Sequence, residues 1–272
     1  MTHSAPVVGI IGGGGWLGRS IALHALAAGV IAERSLILSS RSPRTGGLGG
    51  WAAVEWTSNN ADLARRSDVI VLSVRPQQFP DLAIEAGESL VVSVMAGVSM
   101  AMLQSRLGTA RVVRAMPNAA AEIGRSYTPW LAGADVTEQD RAFVRALFTS
   151  CGETDEVTTE DQIDTLTGLS GSGPAFPALL AAAMLAHARA RGLPPEVARR
   201  AVLDVVCDAS RLLATGDATP EQMVRTFLDY EGTTAAALRA MTGKGFNEAV
   251  AAGLDAAAAA AVSMMAADRK PR

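Results

Sequence analysis

The sequence predicts an α/β domain with a doubly wound parallel sheet, followed by an all-helical domain. Up to about residue 150, short β-branched apolar runs alternate with amphipathic stretches, which is the pattern of strands and crossover helices. After Thr159 the strand signals vanish and only helical patterns follow. We therefore predict two domains, residues 1–160 and residues 161–272.

The elements of the first domain follow from its apolar runs. The predicted strands are short, rich in Val and Ile, and flanked by turn residues. They cover residues 7–11, 35–39, 69–74, 91–94 and 112–115. The predicted helices between them include residues 17–28, 60–65 and 100–107.

The second domain is predicted from helix start and stop signals. Gly192 ends one helix, Pro194 and Pro195 open the next, and Thr219-Pro220 is an N-cap followed by a proline at the first helical position. The predicted helices cover residues 175–191, 196–214, 221–228, 234–241 and 247–267.

Composition narrows the class of protein. The 272 residues are 49% hydrophobic and 19% charged, with net charge −3, so no strong field attracts nucleic acid. Two cysteines predict neither a disulfide framework nor a metal site. The N-terminal segment lacks the pattern of a signal peptide, and the alanine-rich run 249–267 is too weakly apolar for a membrane span. We expect a cytoplasmic enzyme with no nucleic-acid or membrane partner.

A glycine-rich run joins the first predicted strand to the first helix. Gly13, Gly15 and Gly18 fit the dinucleotide fingerprint, whose glycines allow a tight turn, close approach to the pyrophosphate, and packing of helix on strand. A second register begins one residue earlier and puts Leu17 in place of the third glycine. The pattern predicts a Rossmann domain. Its predicted cofactor-binding residues here are Gly12, Gly13, Gly14, Gly15, Trp16, Leu17 and Gly18.

The end of the second strand predicts which dinucleotide binds. A site that prefers NAD usually has Asp or Glu there, but this chain has Ser40 and Arg41. A hydroxyl and a guanidinium suit a 2′-phosphate. We predict NADPH as the cofactor and keep NADH as an alternative.

Residues that follow other predicted strands are expected to line the nicotinamide half of the groove. Ligands of open α/β sheets bind beyond the carboxyl ends of the strands. An ordinary strand-to-loop turn is the alternative interpretation of each segment. The predicted residues are Val74, Arg75, Pro76, Ala96, Gly97 and Asn118.

The second domain has no evident general base. The histidines, His3, His24 and His187, lie in no catalytic motif. Oxidation of a hydroxy acid needs a base to accept the hydroxyl proton. A protonated imine is already electrophilic, so positioning it and hydrogen bonding its nitrogen can suffice. The sequence therefore favours reduction of a C=N bond.

Two patches of hydroxyl residues and glycine precede predicted helices. We call Ser170, Ser172 and Gly173 the serine patch, and Gly232, Thr233 and Thr234 the threonine loop. Backbone N–H groups at a helix start bind anions, so either patch suits a substrate carboxylate. Thr233 or Thr234 is also predicted to donate a hydrogen bond to the imine nitrogen. Simple helix capping is the alternative.

These motifs together resemble the pyrroline-5-carboxylate reductase family. The resemblance extends over nearly the whole chain, and its most specific part is Ser-Gly-Ser-Gly-Pro-Ala followed by Gly-Thr-Thr. It implies NADPH-dependent reduction of a small imino acid to proline and a helical dimerisation domain shared by two subunits. It also implies that the threonine loop binds the substrate carboxylate and that Thr234, or a nearby water, donates the proton.

The resemblance has departures at the substrate loop. The family usually has Pro-Gly-Gly-Thr-Thr, whereas this chain has Tyr230 and Glu231 before Gly232. Glu231 restricts the backbone and puts a negative charge beside the predicted carboxylate site. Two alternatives remain open at this point. One is a reductase of another cyclic imine or of a β-hydroxy acid, and the other is a non-catalytic NADP-binding sensor.

Overall fold

The computed structural model describes residues 5–42 and 47–263. The described residues divide into two compact units, one formed by residues up to 172 together with residues 256–263, and one formed by residues 173–255. His3 and the predicted end of the last helix, residues 264–267, lie outside the described residues.

The first unit is built on one sheet, which has eight strands in the described part of the chain. Their spatial order is β3-β2-β1-β4-β5-β6-β7-β8, and every neighbouring pair is parallel except β6 and β7. The first six strands have the order of a dinucleotide-binding Rossmann sheet. The strands are β1 Val8–Ile11, β2 Leu36–Ser39, β3 Glu55–Thr57, β4 Val69–Leu72, β5 Leu90–Ser93, β6 Val112–Ala115, β7 Ser126–Ala132 and β8 Gly152–Glu156.

Helices cover both faces of this sheet. One apolar cluster joins Ile21 and Ala25 to Phe148, and the other joins Leu63 to Leu103. Burial on both faces explains why the central strands consist almost entirely of apolar residues. The helices of this unit are α1 Trp16–Ala27, α2 Asn60–Arg65, α3 Met100–Leu107, α4 Glu138–Thr149 and α5 Glu160–Leu166.

The five predicted strands are present within two residues of their predicted ends. The prediction lacked β3, β7 and β8, whose sequences are less apolar than those of the central strands. β3 is half-buried at an edge, and β8 consists mostly of charged residues, Glu153, Asp155 and Glu156 among them. β7 contains Pro129, which pattern-based reasoning disfavours inside a strand.

The described residues after β8 contain helices and turns but no strand. The predicted helix 196–214 is only partly regular, because α7 is followed by a π-helical turn, Asp204–Asp208, and a 3₁₀ segment, Ala209–Ala214. The predicted fold class, a Rossmann-type α/β domain followed by an all-helical region, is confirmed. The helices are α6 Ala175–Ala190, α7 Pro195–Leu203, α8 Pro220–Asp229, α9 Thr233–Thr242 and α10 Phe246–Ser263.

The second unit buries few of its large apolar side chains. Leu179 is 72% exposed, Leu212 is 60% exposed and Phe227 is 43% exposed. Exposed large apolar side chains in this number are typical of a surface that contacts a partner.

One stretch of the described residues, 160–190, is long and apolar enough to cross a membrane by length and composition alone. It is not one continuous helix, since α5 ends at Leu166 and α6 begins at Ala175. α6 has 16 residues, fewer than the ~20 that a membrane-spanning helix needs.

Candidate active site

The loop between β1 and α1 is shaped by its glycines. Gly12 has φ +87°, and a Cβ atom there would lie 2.3 Å from the carbonyl oxygen of Ser73. Only glycine combines this backbone conformation with so close an approach. The loop therefore lies directly against the segment that follows β4.

The start of α1 packs on the same loop through Gly18. A Cβ atom at Gly18 would lie 2.8 Å from the carbonyl oxygen of Gly12 and 3.1 Å from the Cα atom of Gly13. This contact favours the fingerprint register that ends at Gly18 over the one that ends at Leu17. Gly15 is the N-cap and supplies no side-chain cap, so the first N–H groups of α1 suit a pyrophosphate. Trp16 is 55% exposed beside them.

The end of β2 has a hydrogen bond that the sequence did not reveal. The hydroxyl of Ser39 is buried and donates to Oδ1 of Asn60 (2.6 Å). The N–H of Ser40 donates to the carbonyl oxygen of Thr57 (3.1 Å). These bonds fix the backbone that leads to Arg41, which is exposed. Asn60 occupies no recognisable motif, so no sequence signal pointed to it.

The ends of β4 and β5 lie at the same edge of the sheet as the glycine loop. The N–H of Ser73 donates to the carbonyl oxygen of Ile11 (2.8 Å), and that of Val94 donates to the carbonyl oxygen of Leu72 (3.1 Å). Val74 Cγ1 would lie 3.2 Å from a Cβ atom at Gly12. The predicted segments Val74, Arg75, Pro76 and Ala96, Gly97 thus follow β4, which is the neighbour of β1, and β5, which is the next strand in the sheet.

The end of β6 contacts the serine patch. Nδ2 of Asn118 donates to the carbonyl oxygen of Ser170 (3.0 Å), while its Oδ1 accepts from the N–H of Ala120 (2.9 Å). The hydroxyl of Ser170 donates to the carbonyl oxygen of Leu166 (2.9 Å), and that of Ser172 to the carbonyl oxygen of Thr167 (3.4 Å). The serine hydroxyls therefore donate within the helix, which leaves their oxygen lone pairs to accept other hydrogen bonds.

A buried arginine behind this segment was not singled out from the sequence as an ion-pairing residue. Arg114 is 4% exposed and pairs with Glu160 and with Asp164, the latter at 2.9 Å. Glu160 also accepts from the N–H of Met100, at the start of α3 (2.7 Å). The sequence signal for this ion pairing was a charged residue inside an apolar strand, because a buried charge needs a partner of opposite charge.

The threonine loop forms the start of α9 in the second unit. Gly232 is the N-cap without a side-chain cap, and the first intrahelical bond joins the N–H of Ala236 to its carbonyl oxygen (3.3 Å). The N–H groups of Thr233, Thr234 and Ala235 precede that bond. Both threonines are exposed. An anion-binding turn with a hydroxyl donor beside it is what this arrangement offers.

Glu231 has an unusual backbone immediately before this turn. Its φ is +55°, and no other non-glycine residue in the described part of the chain has a positive φ. Its side chain is 78% exposed, and its carboxylate lies 4.0 Å from the guanidinium of Arg239. The loop thus keeps a left-handed conformation that glycine would adopt at lower cost.

Family models match both parts of the chain. Residues 160–264 match the model described as pyrroline-5-carboxylate reductase dimerisation. Residues 7–97 match the model described as NADP oxidoreductase, coenzyme F420-dependent. The first match indicates a homo-oligomer, and the second covers the glycine loop and the end of β2.

Curated relatives extend the likeness to nearly the full length. The pyrroline-5-carboxylate reductase of Synechocystis sp. is 31% identical over 253 residues, which cover 89% of this chain and 92% of the relative. That of Pseudomonas aeruginosa is 31% identical over 260 residues, which cover 93% of this chain and 95% of the relative. The chain belongs to the pyrroline-5-carboxylate reductase family. The resemblance predicted from the sequence is confirmed.

A solved structure supports the same family. The pyrroline-5-carboxylate reductase of Coxiella burnetii has a TM-score of 0.82 at 27% identity, and the match covers 95% of this chain and 98% of that one. The pyrroline-5-carboxylate reductase family therefore accounts for both the Rossmann domain and the helical region.

Proposed function

We propose that this chain reduces the C=N bond of pyrroline-5-carboxylate to give proline, with NADPH as the reductant. The observation that carries the proposal is the full-length similarity to pyrroline-5-carboxylate reductases, 31% identity over 93% of the chain. The glycine loop, the strand ends and the threonine loop provide the binding groups that this reaction needs. NADPH supplies the hydride that reduces the carbon of the imine.

The residues of the first unit fit a dinucleotide. At Gly12 a Cβ atom would collide with the Ser73 carbonyl, so glycine there keeps the loop against the segment after β4. The glycines that follow leave the backbone of the loop free of side chains toward a pyrophosphate. We assign the pyrophosphate to the N–H groups at the start of α1, and the 2′-phosphate to Ser40 and Arg41. The segments after β4, β5 and β6, including Asn118, are assigned to the nicotinamide half.

The residues of the second unit suit the substrate. The N–H groups of Thr233 and Thr234 precede the first intrahelical bond of α9 and can donate to a carboxylate. The hydroxyl of Thr234 is assigned as the donor to the imine nitrogen, directly or through a water. The serine patch, Ser170, Ser172 and Gly173, is assigned to the substrate as well. The reduction takes one hydride and one proton. A neutral imine takes the proton from the Thr234 hydroxyl or the water, whereas an imine that enters protonated needs no acid and its N–H donates to the Thr234 hydroxyl oxygen.

The assembly is proposed to be a homodimer or an assembly of dimers, located in the cytoplasm. The match to a dimerisation model and the exposed apolar side chains of the second unit support the dimer. We keep residues 161–272 as the helical substrate and dimerisation domain, since that match begins at residue 160. Because α5 contacts the sheet, the chain up to Ser172 belongs to the first compact unit although the helical domain match begins at residue 160.

The test is a steady-state assay that follows reduced nicotinamide during incubation with racemic pyrroline-5-carboxylate. We expect turnover with NADPH and a lower kcat/KM with NADH, because Arg41 has no phosphate to pair with in NADH. Absence of turnover with either cofactor, despite NADPH binding, would contradict the proposal. It would favour another cyclic imine as substrate or a sensor role.

A further inference from the structure

One face of β6 and of the residues after it contacts a single segment of the chain. Arg114, Met116 and Asn118 alternate along an extended backbone, so their side chains point to the same side. Val113 and Ala115, the neighbours of Arg114 in the chain, belong to the apolar cluster on the opposite face. All three alternating residues reach α5 or the turn that follows it.

Arg114 holds α5 by two charged contacts. Its guanidinium pairs with Glu160 in the first turn of α5 and with Asp164 one turn later. Only 4% of the Arg114 side chain is exposed, whereas Glu160 is 40% and Asp164 is 23% exposed. The buried guanidinium therefore depends on these two carboxylates, since removal of its partners would leave a buried charge unpaired. Because Glu160 also accepts from the N–H of Met100, the same carboxylate ties α5 to the start of α3.

Met116 and Asn118 hold the end of the segment. Met116 Cγ would lie 3.3 Å from a Cβ atom at Gly171, so Gly171 lets the turn lie against the methionine. Nδ2 of Asn118 donates to the carbonyl oxygen of Ser170 (3.0 Å). β6 and the residues just after it thus contact the chain segment from Glu160 to Gly171.

The segment held in this way ends in a π-helical turn, Thr167–Gly171. Such turns are rare and occur frequently at functional sites. Here the turn widens the helix just before Ser172, whose N–H donates to the carbonyl oxygen of Thr167 (3.1 Å). A change in its hydrogen bonding would move Ser170 and Ser172 together.

We propose that Arg114 and Asn118 are positioning residues, which hold the π-helical turn so that Ser170 and Ser172 meet the substrate. The inference rests on the proposed function, since it takes the serine patch as part of the substrate site. Asn118 acts here through the Ser170 carbonyl, so its replacement should raise the KM for the imino acid more than the KM for NADPH.

The test is the Asn118→Asp variant. Asp keeps the oxygen that accepts from the N–H of Ala120 but puts a carboxylate oxygen against the Ser170 carbonyl. Gln162→Glu is the matched control, because the Gln162 side chain uses only its oxygen, as acceptor from Thr158 and Thr159. Both variants make the same change from amide to acid, and the control lies on α5 itself.

For Asn118→Asp we expect the KM for pyrroline-5-carboxylate to rise about tenfold, equivalent to about 1.4 kcal/mol. The thermal midpoint should match that of Gln162→Glu, and the KM for NADPH should rise by a smaller factor than the substrate KM, since Asn118 is also assigned to the nicotinamide half. An unchanged substrate KM, or a rise confined to the KM for NADPH, would overturn the inference. A wild-type enzyme without turnover of pyrroline-5-carboxylate would instead overturn the proposed function, and this inference with it.

Arg114→Lys provides a second variant that keeps the charge. Lys has a single ammonium group and does not reproduce the two-carboxylate contact of a guanidinium. We expect a raised KM for pyrroline-5-carboxylate with a smaller change in kcat. A lower thermal midpoint with unchanged substrate KM would show that Arg114 acts on stability alone.

Discussion

Glu231 is the residue at which this chain departs from the substrate loop of its family. It has φ +55° and carries a charge next to the N–H groups assigned to the substrate carboxylate. The carboxylate is 78% exposed, so solvent screens part of the repulsion. The loop nevertheless retains a helix start able to bind an anion.

Replacement of Glu231 by Gly should lower the KM for pyrroline-5-carboxylate, because it removes the repulsion and relaxes the backbone. Glu231→Gln separates the two causes, since Gln keeps the positive φ and loses the charge. Steady-state kinetics of both variants provide the measurement. If neither variant changes the substrate KM, Glu231 lies too far from the bound carboxylate to affect it.

Gly12 fixes the glycine loop, which leads to the N–H groups assigned to the pyrophosphate, against the segment after β4. In Gly12→Ala the new methyl group would lie 2.3 Å from the Ser73 carbonyl, so the loop must move. We expect NADPH affinity to fall by more than about tenfold. Gly50→Ala is the control, because a Cβ atom there has no neighbour within 4 Å. Titration calorimetry measures this affinity for NADPH in both variants. Equal affinities in the two variants would contradict the assigned role of the loop.

At the scale of elements, α4 is tied to the sheet by Asp140. Oδ2 of Asp140 accepts from the N–H of Thr137 (2.9 Å), and both carboxylate oxygens accept from Arg111 (2.8 and 2.6 Å). Burial alone raises the pKa of Asp140, but the hydrogen bonds from Arg111 and Thr137 hold the pKa below its ordinary value. The ionised carboxylate therefore stabilises the fold.

Asp140→Asn should lower the free energy of unfolding by about 1–3 kcal/mol at neutral pH. Since the folded pKa is depressed, the contribution of Asp140 is present above its unfolded pKa of about 3.9. This stabilising contribution is lost as the pH falls through the lower pKa that Asp140 has in the folded protein. Urea unfolding at several pH values measures both effects. Glu138→Gln, whose side chain is 95% exposed, should change stability by less than about 1 kcal/mol. If Asp140→Asn and Glu138→Gln lowered the free energy of unfolding equally, the stabilising role of Asp140 would be contradicted.

The helix predicted over residues 196–214 shows a limit of pattern-based reasoning. Residues after Leu203 continue as π-helical and 3₁₀ turns. The three helix types differ in the number of residues per turn, but over five or six residues this difference is too small for apolar periodicity to separate them. Which hydrogen bonds form there is decided by packing around each turn.

At the scale of the whole molecule, the second unit leaves Phe227 and other apolar side chains exposed. In the proposed homodimer, Phe227→Glu should weaken association, because it puts a charge on surface that a partner must desolvate. Light scattering after size exclusion measures the mass in solution. Ile123→Glu, at an apolar residue of the first unit that is 74% exposed, should leave the assembly intact. A dimeric Phe227→Glu variant would show that the partner surface lies elsewhere.

Local patterns determined the Rossmann domain, the helical region, the glycine loop and the family, because each depends on residues close in sequence or on their periodicity. Only the tertiary structure showed that Arg114 pairs with Glu160 and Asp164, that Asn118 reaches Ser170, and that Glu231 keeps a left-handed backbone. These contacts join residues about fifty positions apart, or depend on a loop conformation that glycine normally supplies. No local pattern records such pairs, since sheet register and packing bring them together.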